Sequence, residues 1–336
     1  MNDGLSLYLH IPFCRHRCSY CDFNTYVSLG DLQGAYARAL AMEIGQAGAM
    51  GNGGKKRPLS TIFFGGGTPS LMTIEELDLI LTAVYQNFTL APDAEISMEA
   101  NPGTVDAAYL SALRDLGVNR LSFGAQTAVA SELALLEREH DFADVQSAIA
   151  QSRAAGFDNL SIDLIYGLPY QTMATWEQSV QAALDLDLEH LSLYCLTIEE
   201  GTPMKRWLKN GSFPPPDPDL AADQYELVTK LMPAAGLDQY EISNWAKPNR
   251  ACKHNLTYWR NQQYLGLGAG AHGYADGVRY EVVKQPRVYI RRMTETSPPA
   301  TFPLTAAVAK HHRASRAEAM SDTVITQLRL LQELSK

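Results

Sequence analysis

The chain has 336 residues, 46% of them hydrophobic, with a formal net charge of −9 and a pI near 5.4. That suffices for one large domain, or a large and a small one, and it excludes disorder as the main state. The acidic balance argues against a nucleic-acid-binding face, because the only basic run, Lys55-Lys56-Arg57, follows "GNGG" and reads as a solvated loop.

The N-terminus "MNDGLSLYLHIPFC" has no basic n-region and no long apolar h-region, and no apolar run approaches the ~20 residues of a membrane span. The expectation is a soluble cytoplasmic protein. In a reducing compartment, five cysteines are expected to serve a metal or redox site rather than a disulfide framework.

Short apolar, β-branched runs at 5–11, 59–65, 95–100, 119–125, 159–165 and 190–196 read as six strands. Between them, Leu32/Tyr36/Leu40/Ile44, Leu77/Ile80/Leu81/Val84, Tyr109/Leu110/Leu113/Leu116, Val145/Ile149 and Trp176/Val180/Leu184 fall at helical spacing. This alternation predicts parallel strands joined by right-handed crossovers, as an incomplete (β/α)6 barrel or an open doubly wound sheet.

"FPPPDPD" (213–219) is the strongest linker signal, since consecutive prolines cannot continue a helix or a central strand. It divides the chain into a 1–212 core and a smaller 213–336 α+β region. The second part reads as a helical pattern (220–235), a strand-like "QYEIS" and an irregular stretch rich in Trp, Tyr and Gly. A loop, "SPPATFP", and a final helix, "AMSDTVITQLRLLQEL", follow.

Cys14, Cys18 and Cys21 are spaced C-x3-C-x2-C within "FCRHRCSYCDF". A buried helical stripe would have this i, i+4, i+7 spacing, but Pro12 and the strand ending "LHIP" make a loop more natural. Zinc prefers four ligands and would need His10 or His16 to complete the set. A [4Fe–4S] cluster on three thiolates would leave one iron without a protein ligand, the open position that catalytic metal sites keep.

The cysteine motif, in a loop after a first barrel strand, resembles the signature of radical S-adenosylmethionine (SAM) proteins. "YLHIPFCRHRCSYCDF" together with "FFGGGTPS", "SMEANPG", "LSFGAQ", "IDLIYGLP" and "HNLTYW" resembles, over nearly the whole chain, the coproporphyrinogen III dehydrogenase/HemW group. The resemblance implies a cluster on Cys14, Cys18 and Cys21. It also implies SAM bound at the strand ends by Tyr8, Tyr20, Gly66, Gly67, Thr68, Glu99, Gln126, Arg138 and Asp163. Without it, the glycines would be a tight turn, Glu99 a helix cap and Arg138 a solvated helix charge.

"GAGAHG" (268–273) matches G-x-G-x-x-G, but no helix pattern follows and no βαβ unit surrounds it, so a dinucleotide site is rejected. The resemblance assigns this stretch a structural or site-lining role.

Two activities lie within the resembled group. One is an oxygen-independent coproporphyrinogen III oxidase that decarboxylates propionates with a 5′-deoxyadenosyl radical. The other is a haem chaperone that retains the radical SAM core and passes haem to an acceptor haemoprotein. The dehydrogenases carry a fourth cysteine two residues after the third, where this chain has Phe23, and a long arm before the cluster.

His254-Asn255-x-x-Tyr258-Trp259 matches the chaperones' H-N-x-x-Y-W. Imidazole is a common axial ligand of haem iron, and aromatics suit a flat apolar macrocycle. The expectation is therefore the chaperone, with haem on His254, Cys252 and His272 as weaker candidates, and Cys195 as a core residue. A homodimer and membrane association only through an acceptor are also expected. Chains of this group continue past "LRLLQEL" into a small domain; this sequence stops at Lys336, as a short member or a truncated chain would.

Overall fold

A computed structural model describes residues 4–50, 55–295 and 301–331. The six expected strands are β1 (Leu5–Ile11), β2 (Arg57–Gly66), β3 (Phe88–Ala100), β4 (Arg120–Gln126), β5 (Leu160–Tyr166) and β6 (His190–Cys195). They pair in sequence order, all parallel. The crossovers contain the expected helices, at Gln33–Ala49, Ile74–Asn87, Ala107–Asp115, Phe142–Ala154 and Met173–Leu184.

Local chemistry fixes several helix starts. The side chains of Thr73, Asp141 and Thr172 accept the backbone N–H three residues on, and each start forms a reciprocal capping box.

Beyond residue 213 the strands are β7 (Asp238–Glu241), β8 (Asn244–Ala246), β9 (Tyr264–Leu267), β10 (His272–Ala275), β11 (Val278–Val282) and β12 (Val308–Arg313). β8 pairs antiparallel with β6, and β7 with β8, at one margin of the six-stranded sheet. β9 pairs parallel with β1 at the other margin, and β10, β11 and β12 follow antiparallel. The described strands thus form one sheet, β12-β11-β10-β9-β1-β2-β3-β4-β5-β6-β8-β7, whose ends do not pair, so the barrel is incomplete.

The stretch expected to be irregular is ordered: it holds helix Lys253–Trp259 and the run β9–β11. Its strands are four or five residues long, too short for a clear period of two. "GAGAHG" is the turn from β9 into β10, with Gly268 at φ +96°, where a side chain would meet His10 O. Of "SPPATFP", residues 297–300 lie outside the described residues. The last helix runs Arg316–Gln327, and the tail from 332 is likewise outside.

Alternation along the strands separates two layers. Leu7, Leu9, Ile62, Phe64, Ile96, Met98, Leu121, Phe123, Ile162 and Leu164 are buried in the main apolar core. The intervening residues face the barrel interior and are mostly polar: Ser6, Tyr8 and His10; Thr61; Glu95, Ser97 and Glu99; Arg120 and Ser122; Ser161 and Asp163. Toward the amino ends of the strands these groups are paired. Glu95 accepts the His254 and Lys253 N–H groups, and His190 lies between Ser161 Oγ and Tyr240 OH. Toward the carboxyl ends they open into a cavity.

Candidate functional site

Pro12 ends β1, and the chain makes an excursion of about a dozen residues that returns to lie beside its own start. Cys14 N–H donates to Tyr26 O at 3.1 Å, and Tyr26 N–H to Pro12 O at 2.8 Å. His10 fixes the excursion through Nε2–H to Asn24 O at 3.1 Å, leaving Nδ1 to accept from Tyr8 OH at 3.0 Å. Asn24 Nδ2 donates in turn to Ala269 O and Lys284 O, tying the loop to the β9–β10 turn. No helix forms over Cys14–Cys21, so the three thiols sit on a loop as expected.

These thiols line a cavity of about 470 Å³ at the carboxyl ends of β1 to β5. Gly67 N–H donates to Ile11 O and Thr68 N–H to Phe13 O, both at 2.8 Å, which presses the glycine turn onto the cysteine loop. A side chain at Gly67 would lie 2.6 Å from Phe13 O and 3.1 Å from Cys14 Sγ, so only glycine permits this approach. Thr68 OH donates to Cys14 Sγ at 3.6 Å, and Arg138 Nη1 to Cys18 Sγ at 3.4 Å while its Nη2 holds Gly124 O at 2.8 Å. Burial pushes the Cys14 and Cys21 thiols up.

Two carboxylates line the same cavity. Gly66 N–H donates to Glu99 Oε2 at 3.2 Å, and Ser122 OH to Asp163 Oδ1 at 3.1 Å. Burial raises both, and the neighbouring Asp163 charge adds to burial in taking Glu99 up to about 7. A cation in the cavity would relieve this repulsion.

Tyr20, Gly66, Gly67, Thr68, Glu99, Gln126, Arg138 and Asp163 line the same cavity as the cysteines. Tyr8 does not. Its ring lies beneath the glycine turn, 3.0 Å from where a Gly65 side chain would begin, beside Phe63.

His254, the candidate haem ligand, is not brought to the cavity either, and it stands on a helix where a loop was expected. It lies on helix Lys253–Trp259 and is fully buried, with Nδ1 2.6 Å from Thr61 Oγ1 and Nε2 2.8 Å from Tyr258 OH. Its ring stacks on Phe63 at 5.0 Å, and burial lowers it to about 3, so it is neutral with both nitrogens engaged. Cys252 is buried with Sγ toward Glu95, whereas His272 is exposed at the start of β10. Cys195 is exposed at the end of β6 rather than in the core.

Sequence reading missed Ser122 and His140 as lining residues. His140 stands two positions after Arg138 in "EREHD", a spacing that could have drawn notice.

The wall fits a bound group. Three thiols converge on the cavity, Gly67 makes room beside them, and Arg138 Nε and His140 Nδ1 are buried there without partners. Among the described residues no three His, Cys, Asp or Glu side chains are grouped to hold a single metal ion. Thiolates that hold a cluster bind separate irons and need not meet at one point.

The sequence profile of the radical SAM superfamily matches residues 8–183, which defines the class: a radical SAM protein, with the cysteine loop and strand-end cavity of that fold. A heme chaperone HemW of Synechocystis sp. is 43% identical over 291 residues, covering 83% of this chain and 69% of that one. One from Mycobacterium tuberculosis is 39% identical over 332 residues, covering 98% and 82%. The chain belongs to the HemW family. The structure of the Escherichia coli coproporphyrinogen III oxidase HemN superposes with a TM-score of 0.83 at 24% identity, covering 98% of this chain and 76% of that one, a likeness of fold.

Proposed function

We propose that the protein is a cytoplasmic haem chaperone that binds haem and passes it to acceptor haemoproteins, and that it carries a [4Fe–4S] cluster and a SAM site. The observation that carries this reading is identity of about 40% with chains named heme chaperone over most of both lengths. Among the described residues no helix is long and apolar enough to cross a membrane.

Cys14, Cys18 and Cys21 would hold the cluster, beside the Gly66-Gly67 turn that lines the same cavity. The chemistry such a cluster would supply, when reduced, is an electron to the SAM sulfonium. Glu99 and Asp163 would take the cationic and hydroxyl groups of SAM, Arg138 would offset the charge of the cluster and the SAM carboxylate, and Gln126, Thr68 and Tyr20 would complete the wall. Tyr8 would act from beneath, by supporting the glycine turn. In this reading 1–212 holds the cavity, and the described strands of 213–336 extend the sheet at both of its margins.

Haem capture through His254 requires helix Lys253–Trp259 to move, because the ring is buried against β2, bonded to Thr61 and stacked on Phe63, and Tyr258 of the same helix must also release Nε2. That makes loading a conformational step and suits a carrier that must also release haem, whether as a monomer or a homodimer.

The alternative, an oxygen-independent coproporphyrinogen III oxidase, is disfavoured by Phe23, which is 63% exposed at the cavity rim where the dehydrogenases have a fourth cysteine. The test is a spectrum of the anaerobically reconstituted protein with and without haemin, paired with a coproporphyrinogen decarboxylation assay. A Soret shift without decarboxylation is expected. Protoporphyrinogen formation with SAM and a reductant would overturn the reading.

A further inference from the structure

His140 lines the cavity yet is only 6% exposed, on the connection that follows Arg138 and leads to helix Phe142–Ala154. Its Nε2 lies 3.3 Å from Ala125 O. A carbonyl only accepts, so Nε2 carries the ring proton and Nδ1 is left as a lone-pair acceptor. Nδ1 is buried and has no partner in the protein. A buried acceptor left unpaired is costly, and native proteins keep few of them.

The charged groups that act on the ring are Arg138, Asp144 and Asp141. Burial and the Arg138 charge together hold the imidazole down at about 4. It therefore stays a neutral acceptor across the working pH range. The carboxylates of Glu99 and Asp163 accept from cationic donors and from hydroxyls, and a neutral imidazole nitrogen offers one further acceptor for an uncharged N–H or O–H.

We propose that Nδ1 of His140 accepts a hydrogen bond from the adenosine part of SAM, from either the 6-amino group of adenine or the 2′-hydroxyl of the ribose. This makes His140 a binding residue that selects adenosine. The inference rests on the proposal that the cavity holds SAM.

The test is calorimetric titration of the anaerobically reconstituted protein, wild type and His140→Phe. The ligands are SAM and two analogues, one with purine in place of adenine and one with a 2′-deoxyribose. Iron content and circular dichroism confirm that the variant keeps cluster and fold. His140→Phe is expected to weaken SAM roughly tenfold. One analogue is expected to lose a similar factor on the wild type and almost nothing further on the variant, because donor and acceptor form one pair.

Losses that multiply independently for both analogues would overturn the assignment. So would wild-type affinities equal for SAM and both analogues, an outcome that needs no variant to fold. A wild-type protein that fails to bind SAM at all would sink the SAM reading and this inference with it. Tight SAM binding unchanged in His140→Phe would sink the inference alone.

Discussion

Arg138 and Cys18 lie 120 positions apart in sequence, yet the guanidinium donates to the thiol sulfur at 3.4 Å while its other arm holds Gly124 O at 2.8 Å. A fixed positive charge is thus built into the wall beside a cysteine expected to ligate iron. Charge and hydrogen bonds at cluster sulfurs set reduction potential. Arg138→Met is expected to shift the cluster potential in the negative direction with the iron count unchanged, read by potentiometric EPR titration. An unshifted potential would leave Arg138 as a support for β4 only.

The cysteine loop makes a stoichiometric prediction. Anaerobic reconstitution is expected to give about four iron and four sulfide per chain. The triple Cys14→Ala, Cys18→Ala, Cys21→Ala variant is expected to have neither. His10 cannot rescue a zinc alternative, since Tyr8 and Asn24 take both its nitrogens. One zinc and no sulfide would refute the cluster.

Glu99 predicts a pH dependence. Its folded-state value near 7 lies above the unfolded 4.5, chiefly through burial and then through Asp163. A raised carboxyl favours the folded protein while protonated, so its contribution is fully present below about 4.5 and is lost as pH rises through about 7. Without SAM, Glu99→Gln is expected to raise Tm by a few degrees at pH 8 and not at pH 4.5, by scanning fluorimetry. SAM is cationic and should bind the ionised form more tightly. Wild-type affinity is therefore expected to rise between pH 6 and 8, with Glu99→Gln flattening the trend. A flat wild-type profile would remove Glu99 from contact with the ligand.

Much of this was legible in the sequence. Strands such as "NLSIDLI" alternate polar and apolar residues, so the side facing helices and the side facing the interior both showed, and the strand-end residues converge on one cavity. Tyr8 and His254 were less legible because burial depends on partners distant in sequence. His254 is surrounded by Thr61, Phe63 and Glu95 from β2 and β3, and nothing within "HNLTYW" reports that. The short strands β9 to β11 escaped for a related reason: their pairing with β1 and with each other, rather than their own period, makes them strands.

His254 carries the last prediction, because its burial separates two roles that one substitution would otherwise confuse. His254→Ala removes two hydrogen bonds, the one to Thr61 buried, and a ring stacked on Phe63, and it leaves Thr61 without that partner. Such losses cost about 2–4 kcal/mol, enough to lower Tm by several degrees whether or not haem ever meets the ring. A weakened Soret change in that variant alone therefore does not identify a ligand. Thr61→Val separates the roles. It frees Nδ1 while preserving the shape of the packing, so it is expected to speed haem association if His254 is captured when the helix opens. Stopped-flow mixing with haemin reads this rate, and the spectrum of the complex should be unchanged because the iron would still find the same imidazole. A rate equal to wild type, with a normal Soret band in a folded His254→Ala protein, would take His254 out of haem binding and leave it as the residue that joins helix Lys253–Trp259 to β2.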